Sequence, residues 1–245
     1  MILTLLKKKS LDGDVYQFTF KPSKPLMWKA GQQMQITLPH EHVDNLGITR
    51  TLSIASAPFE ENIILLTHCG IQSSSFKRAL RDLEPGDTVE AGSPEGGFIL
   101  ENPHKKYTFI ASGIGIAPYR AILMDLDYHN QPIDVVLIYS NSTDHFPFKN
   151  EIEELVERHH KLSVFYSVDP DEKERGRIKE MITGMEDNPI YMSGVYVRKI
   201  AAMFDGRDTH PKRVVHDGEV VESEEITRPG FVVAEEVELM SLWGE

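Results

Sequence analysis

Tyr107-Thr108-Phe109-Ile110-Ala111-Ser112-Gly113-Ile114-Gly115-Ile116-Ala117-Pro118 decides how this chain of 245 residues folds. Residues 107–111 read as an apolar strand. Gly113 and Gly115 make a turn in which backbone can approach a ligand closely, and Pro118 suits the first turn of a helix that runs to Tyr128. A glycine turn placed between a strand and a helix is one way to hold a pyrophosphate. A purely structural elbow is the other reading. Downstream the same grammar repeats: strands at 135–139, 162–166 and 190–192, helices at 148–159, 178–183 and 197–204. Apolar strands alternating with helices predict a doubly wound parallel sheet.

Upstream the grammar differs. Residues 15–20 and 33–38 alternate apolar and polar, and 63–67 is a short apolar run. Asp12-Gly13, Ala30-Gly31, Ala57-Pro58 and Pro85-Gly86-Asp87 punctuate them. Many short strands separated by such turns predict a small antiparallel barrel. One helix interrupts it, with Phe76, Ala79, Leu80 and Leu83 at helical spacing and a serine at its start. The polar, proline-bearing stretch 101–106 divides the chain into residues 1–103 and 104–245. Within the last forty residues, Val214 to Val221 reads as a hairpin closed by Asp217-Gly218, and 231–234 as a further strand.

The bulk numbers narrow the function. Hydrophobic residues are 40% and charged residues 26%, as in an ordinary globular protein. The net charge of −12 excludes nucleic acid and anionic membrane as main partners. Residues 206–245 carry 4 Lys/Arg against 10 Asp/Glu, a net of −6, so half of the excess lies in this tail. The single cysteine, Cys69, makes neither an internal disulfide nor a cysteine-ligated cluster. The apolar run at the N-terminus precedes its lysines and is too short for a signal sequence, and no stretch has the length of a membrane span. A cytoplasmic location is expected.

Two further segments carry polar chemistry. Arg50-Thr51-Leu52-Ser53 puts a fixed cation and two hydroxyls on an extended stretch, where Thr51 and Ser53 point away from Arg50 and Leu52. It reads either as an anion clasp or as an ordinary strand with a surface arginine. Ser73-Ser74-Ser75 opens the helix of the first domain, where hydroxyls and free N–H groups either cap the helix or hold an anion. His40, His42 and Asp44 have ligand chemistry but sit in a polar loop, and no metal is expected. His68 and Cys69 end an apolar strand, either at the edge of a site or as buried structure.

The order of these segments resembles the ferredoxin–NADP reductase superfamily over residues 10 to 204. Seven motifs carry the likeness: Ala30-Gly31-Gln32, Arg50-Thr51-Leu52-Ser53, Ser74 to Leu80, Pro85-Gly86-Asp87, Ser93 to Phe98, Gly113 to Pro118, and Tyr139-Ser140-Asn141. The resemblance implies a six-stranded Greek-key flavin-binding barrel, then an α/β nucleotide-binding domain. It implies that Arg50 binds flavin phosphate, that Ser73, Ser74 and Ser75 hold the pyrophosphate, and that Ser53 sits by the reactive flavin nitrogen N5. Thr51, Leu52, Thr67 and His68 would complete the flavin site. Gly113, Gly115, Pro118, Ser140, Asn141, Ser193 and Gly194 would line the pyridine-nucleotide site, with Ser193 beside the nicotinamide.

Several positions depart from the family pattern. Leu52 stands where an aromatic residue usually covers the flavin. Ser142 stands where an arginine often meets the 2′-phosphate of NADPH, which favours NADH, with Lys149 as the alternative cation. Val195 replaces a proline. The expected function is a flavin-dependent oxidoreductase in which hydride passes from NADH or NADPH to FAD, or FMN, and electrons then pass to a small-molecule or protein acceptor. The alternatives are an electron-transfer subunit docking on a redox partner, for which the acidic tail speaks, and a nucleotide-binding regulator without flavin, for which Leu52 speaks. The first reading requires the arginine strand and the glycine elbow to share one crevice.

Overall fold

The computed structural model of the chain describes residues 1–96, 98–100, 102–168, 178, 180, 190–193, 214–216, 219–221 and 231–234. The expected helices at 178–183 and 197–204 (apart from residues 178 and 180), Gly194, Val195 and most of the acidic tail lie outside these residues.

The first six strands are β1 (Ile2–Asp12), β2 (Val15–Pro22), β3 (Gln33–Thr37), β4 (Thr49–Ser53), β5 (Ile63–His68) and β6 (Thr88–Ala91). They form one sheet in the order β4-β3-β6-β1-β2-β5, with every pairing antiparallel. A bridge between Ile54 and Leu65 joins the two outer strands and closes the sheet into a Greek-key barrel. Its interior holds Leu3, Phe18, Phe20, Met34, Ile36, Leu52 and Leu65, all buried. The helix α1 (Ser75–Asp82) adds Phe76 and Leu80 to this core.

Two strands of the barrel, β1 and β6, were not expected. In β1 the alternation of buried and exposed residues holds only through its first few positions. Register shifts between Leu5 and Lys7 and between Ser10 and Asp12 then break the period of two, so Lys7, Lys8 and Lys9 hide the strand.

The second sheet carries β7 (Tyr107–Ser112), β8 (Val135–Asn141), β9 (Leu162–Val168), β10 (Ile190–Ser193), β11 (Val214–His216), β12 (Glu219–Val221) and β13 (Phe231–Ala234), in the order β12-β11-β13-β10-β7-β8-β9. All pairings are parallel except that of β11 with β12, which is the expected hairpin. The chain runs from β7 outward to β8 and β9, and β10 then pairs with the other side of β7. The point where strand order reverses therefore lies between β7 and β10, at whose carboxyl ends α/β sheets open a crevice for ligands.

The helices α2 (Ala117–Tyr128) and α3 (Lys149–Arg158) follow β7 and β8. One apolar core joins the two halves: Ala55 and Leu66 of the barrel pack with Phe109, Ile116, Tyr119 and Leu137. Gly31 sits at this junction with φ +91°, and a Cβ there would lie 1.8 Å from the Phe98 carbonyl oxygen and 3.1 Å from the Ile122 side chain. Only glycine fits. Among the described residues no helix is long and apolar enough to cross a membrane.

Candidate functional site

The glycine elbow stands at the reversal point of the parallel sheet. Gly113 takes the left-handed conformation, φ +54°, which turns the chain off β7 into a single 3-10 turn, Gly113–Ile116, and then into α2 with Pro118 in its first turn. The Gly113 carbonyl accepts a hydrogen bond from the Tyr139 hydroxyl at 3.2 Å. Ser140 donates to the Ala111 carbonyl at 3.3 Å, and Asn141 Nδ2 to the His145 carbonyl at 2.6 Å. Ser193 ends β10 in register with Ala111 and is buried. Gly113, Gly115, Pro118, Ser140, Asn141 and Ser193 thus gather at one rim of the sheet.

A crevice of about 530 Å³ opens beside this rim. One wall is Gly113, Ile114 and the segment 141–151. The other is the turn between β1 and β2, Leu11 to Val15, together with His68. The two walls touch at one end, where the Thr143 hydroxyl donates to Asp12 at 2.8 Å and His145 Nδ1 lies 3.7 Å from the same carboxylate. His68 Nδ1 lies 3.0 Å from Asp14. Asp12, Asp14, Asp144 and Glu151 give the crevice a surplus of carboxylates over its two lysines, Lys9 and Lys149. Lys149 Nζ sits 4.8 Å above the Tyr166 ring and 3.8 Å from Glu153. Burial pushes the Tyr166 hydroxyl up to about 12, so that it stays a neutral phenol.

Arg50 and the serines of α1 are elsewhere. Residues 50–53 and 73–75 are not among the residues that line this crevice. Leu52 pairs with Met34, is 2% exposed and packs in the barrel interior. Thr51 and Ser53 occupy the opposite, half-buried face of β4. Thr67 is fully buried on the face of β5 that carries Ile63 and Leu65, and its hydroxyl has no hydrogen-bond partner among the described residues.

Arg50 instead joins a polar cluster at the end of the barrel. Its Nη1 donates to the carbonyls of Leu46 and Thr49 at 2.8 and 2.7 Å, and its Nη2 lies 3.8 Å from Asp44 Oδ1. The Phe76 ring lies 5.4 Å from the guanidinium carbon. Asp44 reaches the start of α1: Oδ2 accepts from the Ser75 N–H at 2.6 Å, and the Asp44 N–H donates to Ser75 Oγ at 3.0 Å. Leu46 N–H donates to Oδ1 at 3.0 Å, and His40 Nε2 meets Ser75 Oγ at 2.8 Å. Ser74 caps the helix, with its hydroxyl accepting from Lys77 N–H. Ser73 offers its carbonyl to Arg78. The backbone hydrogen bond from Ser75 is the main cause that holds the Asp44 carboxyl below the ordinary carboxylate range; partial burial opposes it, and Arg50 adds to it. His40 and Asp44 are both engaged with Ser75.

The sequence reading missed Arg120. This side chain is 5% exposed and ties three elements together. It donates to the Ala55 carbonyl at 2.9 Å, to both oxygens of Glu60 at 2.8 and 2.9 Å, and to Glu151 at 2.5 and 3.0 Å. Burial works to lower its pKa, but the Glu60 hydrogen bond and both carboxylate charges outweigh it, and the guanidinium is held above its ordinary value. Phe148 stacks on it at 4.8 Å. Its one signal in sequence is a charge inside the otherwise apolar run Ala117 to Leu123.

Residues 109–197 match the family described as an oxidoreductase NAD-binding domain. The oxidoreductase NdmD of Pseudomonas putida is 27% identical over 188 residues, covering 74% of this chain and 30% of that protein. The ferredoxin–NADP reductase of Azotobacter vinelandii is 28% identical over 127 residues, covering 50% of this chain and 48% of its own. The chain spans less than half the length of these curated relatives. Among solved structures, ferredoxin–NADP+ reductase from Plasmodium falciparum superimposes with a TM-score of 0.70 at 18% identity, covering 83% of this chain and 91% of that one. That likeness establishes the two-domain fold.

Proposed function

We propose that the chain is a reductase of the ferredoxin–NADP reductase type, a flavin-dependent oxidoreductase that takes hydride from NADH. One observation carries the reading. The left-handed elbow at Gly113 opens, at the reversal point of a parallel sheet, onto a crevice whose opposite wall is the barrel. A nicotinamide nucleotide is the ligand that such an elbow and strand rim suit. The barrel domain, residues 1–103, would supply the flavin, and residues 104–245 the nucleotide site.

The residues at the end of the barrel fit the phosphate part of a flavin nucleotide. Arg50 and the Ser75 N–H already converge on one anion, the Asp44 carboxylate. When bound, FAD or FMN supplies an acceptor for a hydride pair and passes electrons onward to a small molecule or a redox protein. The chain's own residues do the rest by placement. Ser53 would hydrogen-bond the edge of the flavin ring, and Ser193 would position the nicotinamide. Holding two rings in reacting geometry is where most of the acceleration arises. The carboxylates around the crevice, and the engagement of Lys149 with Tyr166 and Glu153, support NADH over NADPH.

An anaerobic titration tests this. Protein incubated with FAD and freed of excess turns yellow, and NADH bleaches it at lower concentration than NADPH does. Protein that takes up neither FAD nor FMN overturns the proposal.

A further inference from the structure

We infer that Asp44 is a built-in occupant of the flavin-phosphate site, so that flavin enters by displacing it and exchanges with solution instead of staying resident. The inference rests on the proposed assignment of Arg50 and Ser75 to flavin phosphate.

The geometry is specific to a competitor. A phosphate oxygen at this place would be held by the first free N–H of α1 and by the guanidinium of Arg50. Both groups already face the Asp44 carboxylate, at 2.6 Å from the Ser75 N–H and 3.8 Å from Arg50 Nη2. The contact is reciprocal, because the Asp44 N–H donates back to Ser75 Oγ at 3.0 Å. A phosphate cannot use the Ser75 N–H while the carboxylate does, and two anions side by side repel. Asp44 also remains ionised throughout the neutral range, since its pKa is held low chiefly by the Ser75 hydrogen bond.

Residues 38–48 leave β3 and return to β4, pinned back by Leu38 N–H to the Ile48 carbonyl at 2.9 Å. Only Asp44 and His40 reach α1, and both end on Ser75. His42 and Gly47 take positive φ, at +54° and +77°, on either side of Asp44. Releasing Ser75 breaks these bonds to α1, while Arg50 still holds the Leu46 and Gly47 carbonyls and the barrel ladder is untouched.

The test is the affinity for FAD, FMN and riboflavin, read by quenching of flavin fluorescence in the wild type, Asp44→Asn and Asp44→Ala. Asparagine keeps one carbonyl acceptor, for either the Ser75 or the Leu46 N–H, and removes the charge; circular dichroism of each variant checks that the fold is retained. The expected result is at least tenfold tighter binding of FAD and FMN by both variants, with slower flavin release. Riboflavin, which has no phosphate, should bind all three proteins alike. Unchanged or weaker FAD binding in the variants overturns the inference while leaving the flavin reading intact. An equal gain for riboflavin overturns it too, since the effect would then not be on phosphate. If no flavin binds any of the three proteins, the inference falls together with the proposed function.

Discussion

The two places proposed above to hold an anion differ in what faces them. The elbow at Gly113 opens on a crevice of about 530 Å³. The Arg50–Ser75 cluster is filled by the chain's own Asp44. The difference follows from how each is built. The elbow is a feature of one strand-to-helix junction, residues 112–118, with Tyr139 holding the Gly113 carbonyl from the neighbouring strand. The second cluster brings together residues 31 positions apart, so whatever loop lies over the helix start decides whether it is open. A site made by local geometry stays available, whereas a site made by assembly is open to capture by a neighbour of the right charge.

The sharpest way to break the comparison is to uncouple the two places. Arg120 ties the barrel to the crevice wall, with Ala55 and Glu60 on the barrel side and Glu151 on the wall. Removing one partner of a buried ion network leaves the others uncompensated, at a cost of about 3–5 kcal/mol. Arg120→Met is expected to lose stability at the upper part of that range against Glu60, and less against Glu151, whose side chain is 40% exposed. Urea unfolding reads this directly. Adding Glu60→Gln to Arg120→Met should recover part of the loss, because the orphaned charge is gone. A loss below about 1 kcal/mol, as for an exposed pair, would show that the tie is not holding the halves together.

The next largest effect belongs to the elbow. Gly113 sits at φ +54°, where an L side chain costs roughly 1–2 kcal/mol, while a Cβ there meets only Asn141 Oδ1 at 3.5 Å. Gly113→Ala should therefore fold with a small loss of stability and bind NADH several-fold more weakly. Calorimetric titration measures the second quantity. The flavin affinity of the same variant should not change. A parallel loss of both affinities would mean that the two places are not independent.

The contrast also explains what could be read in the chain. The parallel sheet was legible because Tyr107–Ser112 and Val135–Asn141 are buried along nearly their whole length, and a continuous apolar run announces itself. The hairpin at Val214–Val221 was legible from Asp217-Gly218. The first barrel strand was not, because its bulges interrupt the alternation on which such a reading depends. The elbow could be placed from its own residues. Leu52 could not, since four residues do not say which face of β4 turns inward; its register against Met34 does. Arg120 and Asp44 escaped for one reason. Their partners, Glu60 and Ser75, are distant in sequence, and a single chain carries no mark of such a pairing.

The smallest effect sharpens the comparison most cleanly, because it isolates Asp44 without any ligand. A carboxylate at a helix start adds about 0.3–1 kcal/mol when exposed. The folded-state pKa of Asp44 lies below its ordinary 3.8, so the stabilisation is complete above that value and disappears as pH falls through the lower, folded value. Asp44→Asn should therefore be slightly less stable than the wild type at pH 7. The gap should hold down to about pH 5 and close below pH 3.8, as read by chemical unfolding at each pH. The same substitution is the one expected to tighten FAD. A variant that loses a little stability and gains affinity for phosphate has given up a bond to itself in exchange for a bond to a ligand. A gap that widens toward low pH would mean that Asp44 is not held as the anion, and the filled site would then need another explanation.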